Sequence, residues 1–295
     1  MDKRYQLQFT VEIEGQFLRE AIAAWGISKR ALTAIKFDGG ALLVNGKEQN
    51  VRHKLQIGDV VTILFPLEEV SEGLIAQNAP LSIVYEDEAV LVLDKPAYMS
   101  TIPSREHPSG SVANFLRGYF EQQQLASTVH IVTRLDRDTS GLMLIAKHRH
   151  IHHLMSQQQK EGMVHREYEA LVEGLLVEDQ QSIIAPIGRK DTSIIEREVR
   201  ADGQFAHTDV FVLTRGETIS HIRLKLHTGR THQIRVHMAS IGHPLVGDEL
   251  YGGSRMLLDR QALHCRYIHF KHPLTGKMMD FESLLPEQFI KILTK

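Results

Sequence analysis

This 295-residue chain lacks several features that would assign it to familiar classes. Its single cysteine, Cys265, leaves no internal disulfide framework and no multi-cysteine zinc site, and a reducing cytoplasm is the expected setting. No apolar run approaches the roughly 20 residues a membrane helix needs. The opening Met1-Asp2-Lys3-Arg4-Tyr5-Gln6 has no apolar core, so no signal peptide is expected. No Gly-x-Gly-x-x-Gly follows a strand and no Gly-x-x-x-x-Gly-Lys-Ser/Thr occurs, so nucleotide cofactors have no support. The absence of a Gly-x-Ser-x-Gly elbow leaves a Ser-His-Asp hydrolase weakly supported. There is no internal repeat and no low-complexity segment.

A formal net charge of −2 does not by itself suggest a nucleic-acid binder. Its distribution says more. Residues 67–90 carry six acidic side chains and no lysine or arginine. Residues 19–54 carry seven basic side chains against three acidic ones, and residues 215–243 carry five against one, with five histidines besides. An acidic connector thus hides two basic regions from the total.

The first 66 residues read as a small unit. Ser28 caps a short helix over 28–34, and Ala41-Leu42-Leu43-Val44 is a strand. Asn45-Gly46 is a strong two-residue hairpin signal. Ile57-Gly58-Asp59 turns into the strand Val60 to Leu64, and Pro66 closes the unit. Residues 67–79 form an acidic linker. From 80 to 295 strands predominate, expected at 82–85, 89–94, 142–147, 166–173, 181–187, 207–214, 218–227, 263–270 and 277–282. Helices are expected singly between them, at 112–123, 149–160, 232–241 and 286–293. That pattern argues an α+β domain around a large, mainly antiparallel sheet.

Three stretches carry candidate chemistry. In Arg134-Leu135-Asp136-Arg137-Asp138-Thr139-Ser140-Gly141 the Asp136 carboxylate stands between two arginines, directly before the buried run Leu142 to Ala146. A charged loop tied to a buried strand can hold one carboxylate in a fixed orientation. In His227-Thr228-Gly229-Arg230-Thr231-His232-Gln233-Ile234-Arg235 a strand ends, a glycine turn follows, and a helix begins with Thr231 as its expected N-cap. Arg230 lies at that helix start, where backbone N–H groups favour anions. The third stretch, Arg166-Glu167-Tyr168-Glu169-Ala170, is a strand in which Tyr168 shares a face with Arg166. The cluster His148, His150, His152 and His153 has one i, i+4 pair but no His-Glu-x-x-His glutamate and no nearby cysteine. It reads as a basic, solvated helix face, and no metal site is expected.

Together these stretches resemble the RNA pseudouridine synthases of the RluA/RluD type. The family's His-Arg-Leu-Asp-x-x-Thr-Ser-Gly is matched by Thr133 to Gly141, with Thr133 in place of the usual histidine. Its tyrosine strand is matched at Arg166 to Ala170, and its Thr-Gly-Arg-Thr-His-Gln-Ile-Arg at Thr228 to Arg235. Gly242-His243-Pro244, Gly247-Asp248-Glu249-Leu250-Tyr251-Gly252 and Asp94-Lys95-Pro96-Ala97 match three further motifs. The N-terminal unit resembles a small S4-like RNA-binding domain through Ser28-Lys29-Arg30, Val44-Asn45-Gly46-Lys47 and Gly58-Asp59-Val60-Val61.

The resemblance implies the pseudouridine synthase fold, and conversion of a uridine in ribosomal or transfer RNA to pseudouridine, without metal or organic cofactor. It makes Asp136 the essential carboxylate, places Tyr168 against the target base, and pairs Asp136 with Arg230. Arg134 would fill the gap left by a flipped base. Lys29, Arg30 and Lys47 would hold RNA on the S4-like domain. A monomer, away from membranes, is the expected state.

Overall fold

The computed structural model describes residues 4–69, 73–104 and 107–294. Residues 70–72 of the expected linker, and residues 1–3 of the N-terminal unit, lie outside that set. Among the described residues, no helix is long and apolar enough to cross a membrane.

The N-terminal unit contains β1 (Gln6–Thr10), α1 (Leu18–Ala24), α2 (Lys29–Phe37), β2 (Ala41–Val44), β3 (Lys47–Glu48) and β4 (Val60–Leu64). Its four strands form a sheet in the order β1-β4-β2-β3. The hairpin expected at Asn45-Gly46 forms, with both residues at positive φ (50° and 78°), as a primed turn requires. Ser28 caps α2 by accepting a hydrogen bond from the Ala31 N–H at 3.1 Å. Leu18, Ile22, Ile35, Val61 and Ile63 close a core of their own beneath this sheet.

Among the described residues the remainder is built on ten strands: β5 (Ile83–Glu86), β6 (Val90–Lys95), β7 (His130–Ile131), β8 (Ser140–Ala146), β9 (His165–Glu173), β10 (Gln180–Ile184), β13 (His207–Arg215), β14 (Ile219–Leu226), β15 (Leu263–Lys271) and β16 (Met278–Glu282), with a separate two-stranded hairpin between β10 and β13. The hairpin pairs β11 (Ile187–Arg189) with β12 (Arg197–Val199). The large sheet runs β10-β13-β14-β9-β15-β8-β6-β5, with β16 added to β15 and β7 to β8. Its pairings are antiparallel except β15 with β8, where His264 faces Ser140 and Cys265 faces Gly141. Among the described residues four α-helices accompany it: α3 (Val112–Gln122), α4 (Arg149–Lys160), α5 (Gln233–Ser240) and α6 (Glu287–Leu293). Every residue of β8 is buried, as its unbroken apolar run foretold.

The expected strand at 181–187 is two strands, interrupted at Pro186, which has no N–H to give a ladder. The histidine cluster does not form a solvated face. His148 and His150 are buried, stacked on Tyr5 (3.8 Å) and Phe65 (5.0 Å) of the N-terminal unit, while His152 stacks on His130. Imidazole combines a flat apolar face with little charge, so it packs where lysine would not. Burial brings both His148 and His150 down to about 4. The joint is closed by Glu68, whose carboxylate meets the His130 ring at 2.5 Å and accepts from the Arg149 N–H at 2.6 Å.

Candidate active site

A cleft of about 780 Å³ opens where the loop before β8, the strand β9 and the turn between β14 and α5 converge. That is within the size range of small-ligand pockets and holds a nucleotide comfortably. Among the described residues lining it, Asp136 is the one carboxylate. Arg134, Arg166, Lys225, Arg230 and Arg235 are among the cations around it. A chain with net negative charge thus presents a basic cleft around a single acid.

The Asp136 loop is fastened residue by residue. The Thr101 hydroxyl donates to Leu135 O at 2.7 Å. The Lys95 Nζ, fully buried, donates to Arg137 O at 3.0 Å and to Pro96 O and Met99 O at 2.8 Å each. Burial lowers the Lys95 pKa to about 7, while Asp138 and Asp136 act in the opposite sense. Arg260 donates to Asp138 O, Gln261 to the Thr139 hydroxyl, and Ser140 Oγ meets His264 Nδ1 at 2.9 Å. Gly141 has φ of +110°, and a Cβ there would collide with the Cys265 backbone, so glycine lets β8 and β15 approach. Held this way, Asp136 keeps a side chain 28% exposed, reachable from the cleft but not floating in it.

Its cationic partner is Arg235. The Arg235 guanidinium donates to Asp136 Oδ2 at 3.2 Å through one nitrogen. Through two others it forks onto Asp248, at 2.7 Å each. Asp248 and Arg235 are both buried, 2% and 7% exposed. Burial alone would weaken the protonated guanidinium, but the two carboxylates more than reverse this and raise its pKa. Such a buried, bidentate ion pair is strongly directional. His232 adds a second contact, with Nε2 3.8 Å from Asp136 Oδ2 and Nδ1 2.7 Å from the Tyr251 hydroxyl. Tyr251 also offers its ring face to Arg235, 4.9 Å from the guanidinium carbon.

The expected Asp136–Arg230 pair is therefore not formed. Arg230 precedes α5, in the turn, and its Nε donates to Phe205 O at 2.8 Å while its guanidinium lines the rim. Arg235 lies in the first turn of a helix whose residues from Gln233 to Met238 are all buried, and it points inward at the loop. The sequence signal was an arginine inside an otherwise buried helix, which demands a carboxylate. Thr231 is not the N-cap either. His232 occupies that position in the left-handed region (φ 57°), and the Gln233 side chain instead accepts from Arg230 N and the Thr228 hydroxyl.

Tyr168 is 4% exposed and lines the cleft from β9. It faces Cys265 across the sheet. Burial and the neighbouring thiol raise its pKa well above the usual phenol range, so it is a neutral phenol at neutral pH. Arg134 is exposed at the cleft mouth. Lys29, Arg30 and Lys47 are exposed on the N-terminal sheet unit and do not line the cleft. Thr133 is buried, and its hydroxyl accepts from Leu144 N at 2.8 Å, tying the loop entrance to β8.

One further cluster borders the cleft. His207, Asp209 and His227 bring their ligand atoms within 4.8 Å of one another. Asp209 accepts from Ser182 Oγ at 2.6 Å, and the two imidazoles reach it at 3.1 and 2.6 Å. Partial burial raises the Asp209 pKa, but the bonds from Ser182, His227 and His207 outweigh it and hold it at about 2. A metal ion here would have to displace both imidazole–carboxylate hydrogen bonds.

A family model described as RNA pseudouridylate synthase matches residues 89–240, which carry Asp136, Tyr168, Arg230 and Arg235. The chain belongs to the RNA pseudouridine synthases, of the RluA/RluD type. It is 50% identical to the uncharacterized RNA pseudouridine synthase YjbO of Bacillus subtilis, over 94% of this chain and 98% of that one. It is 40% identical to ribosomal large subunit pseudouridine synthase D of Pseudomonas aeruginosa, over 86% of this chain and 83% of that one. Among solved structures it is similar to human RNA pseudouridylate synthase domain containing 1, with TM-score 0.57 and 28% identity over 70% of this chain and 83% of that one. The protein is an isomerase acting on RNA. Within this synthase, the Thr133 hydroxyl ties the loop before Asp136 to the β8 backbone.

Proposed function

We propose that this pseudouridine synthase acts on a uridine of structured ribosomal or transfer RNA, with Asp136 as its essential carboxylate. The observation that carries the reading is the pairing of a cleft-facing carboxylate with Arg235, itself locked by Asp248. The reaction breaks the bond from C1′ to N1 and turns the uracil in place. It then joins C5 to C1′, releases the C5 proton, and leaves a proton on N1. Asp136 acts at the ribose, either by attack on C1′ or by taking the C2′ proton to give a glycal. Arg235 keeps it aimed.

Tyr168 is a neutral phenol in a buried position, which favours positioning of the ring over phenolate base chemistry. The target base must leave its helix to reach the cleft, and Arg134, exposed at the mouth, fills its place. Arg230 holds the backbone beside it. The N-terminal unit acts as an S4-like domain, with Lys29, Arg30 and Lys47 as a second contact that raises effective concentration. A cytoplasmic monomer suffices for all these roles.

The test is release of tritium from C5-labelled uridine in RNA prepared from cells lacking the enzyme. Wild-type protein is expected to release it stoichiometrically with pseudouridine formed. No release from a broad cellular pool would overturn the reading, and pseudouridine mapping in the same cells identifies the target.

A further inference from the structure

Beside the cleft, a second recess of about 310 Å³ lies against the hairpin of β11 and β12. Arg230 and Thr231 line both spaces, so the two are immediate neighbours. The rest of its polar lining is Arg189, Arg197, Asp202 and Gln204.

Arg189 and Arg197 are direct partners in the hairpin register. Residues so paired project from the same face, with Cβ atoms about 5 Å apart, and like charges there repel. Proteins ordinarily relieve such a pair with a carboxylate, and none does so here. Among the described residues, Arg189 has no ion-pair or side-chain hydrogen-bond partner. Arg197 spends one guanidinium nitrogen on the carbonyls of Ile195 and Glu196. The one acid of the recess, Asp202, is already committed, since Arg200 grips it with two nitrogens. Lys190 likewise takes Glu196 at 2.6 Å. The hairpin therefore neutralises its other charges and leaves one facing arginine pair uncompensated.

That pair is also held in place. The Arg197 N–H donates to the Tyr251 hydroxyl at 3.0 Å, and the same hydroxyl meets His232 beside Asp136. The hairpin is thus registered to the catalytic cleft through one tyrosine.

We propose that this recess binds a backbone phosphate of the RNA, adjacent to the uridine in the cleft. The proposal rests on the reading that RNA enters that cleft. Arg189 and Arg197 close on the phosphate oxygens as a pair of forks, with Arg230 and the exposed Thr231 hydroxyl on the side nearest the reacting nucleotide. The anion removes the repulsion between the two arginines, and the strand is set in register before the base turns.

The experiment uses full-length enzyme and C5-tritiated RNA from cells lacking it, with KM, kcat and filter binding measured over a range of KCl. For Arg189→Ala/Arg197→Ala, KM rises about tenfold at moderate salt, and the slope of log affinity against log salt flattens by roughly one. The effect falls on KM and the slope rather than on kcat. Arg189→Lys/Arg197→Lys restores the slope and only part of the affinity, because lysine keeps charge without the fork. Thermal stability of the alanine variant is equal to or above wild type, since a repulsion is removed. Unchanged KM and slope in that variant would overturn the recess while leaving the synthase reading intact. Conversely, a wild-type protein that binds RNA but releases no tritium, with the slope still lost in the variant, would support the recess and sink the synthase reading.

Discussion

On the floor of the cleft, Arg235 is 7% exposed and bridges Asp136 to Asp248, with all three guanidinium nitrogens engaged by carboxylates of the protein. At the rim, Arg230 belongs to the same motif but bonds a backbone carbonyl, while Arg134 stands exposed. The same residue type serves two purposes, separated by burial. Floor charges are satisfied within the protein, which fixes their geometry. In the proposed function the rim charges are satisfied by RNA, giving affinity that salt can screen, while the floor acts at the ribose. Conversions on the floor should act on the rate of the chemical step, and those at the rim on binding.

The sharpest way to break that distinction is Arg235→Ala. It strands two carboxylates, one of them buried, so we expect a stability loss of about 3–5 kcal/mol by thermal or denaturant unfolding. Activity should fall by about a thousandfold or more where the protein remains folded. Activity near wild type would show that the floor pairing is structural alone. Arg230→Ala comes next. KM for RNA should rise by about tenfold with a flatter salt dependence, and stability should change by less than about 1 kcal/mol. Equal losses of stability and activity would move Arg230 from rim to framework.

The smallest effect on activity is expected at neither place but at the joint with the N-terminal unit. His150 is buried, its Nδ1 has no partner, and burial lowers it from 6.5 to about 4. As pH falls through that window the unfolded chain takes up a proton that the folded one refuses, so stability is lost between pH 6.5 and 4 and is intact above it. His150→Phe removes this proton uptake. Its unfolding free energy should fall by about 2 kcal/mol less than wild type between pH 6.5 and 5. An identical pH profile would show that His150 is not buried as described.

Much of the fold was legible because its strands alternate or run apolar and its turns carry glycine. The helix Arg149–Lys160 and the strand Val60–Leu64 fall where their patterns put them. The strand Gln6–Thr10 and the helix Leu18–Ala24 were not foreseen. Each is short, and the strand buries only alternate residues, and those partly. Within the site, the motifs located Asp136, Tyr168 and Arg230 in one cleft, but local spacing could not tell which arginine meets Asp136. That depends on helix phase. Arg230 lies before the first turn of α5 and Arg235 within it, facing a loop 99 residues away in sequence. The histidines misled for a related reason, since an i, i+4 spacing gives a face but not what covers it, and here Tyr5 covers His148 and His130 covers His152.

The most direct test of the central claim is Asp136→Asn, compared with wild type in single-turnover pseudouridine formation and in RNA binding. The substitution keeps the shape of the side chain and removes its charge. The account predicts a rate lower by about a thousandfold or more at saturating RNA, with affinity held within about threefold. A variant that forms pseudouridine at the wild-type rate would contradict it.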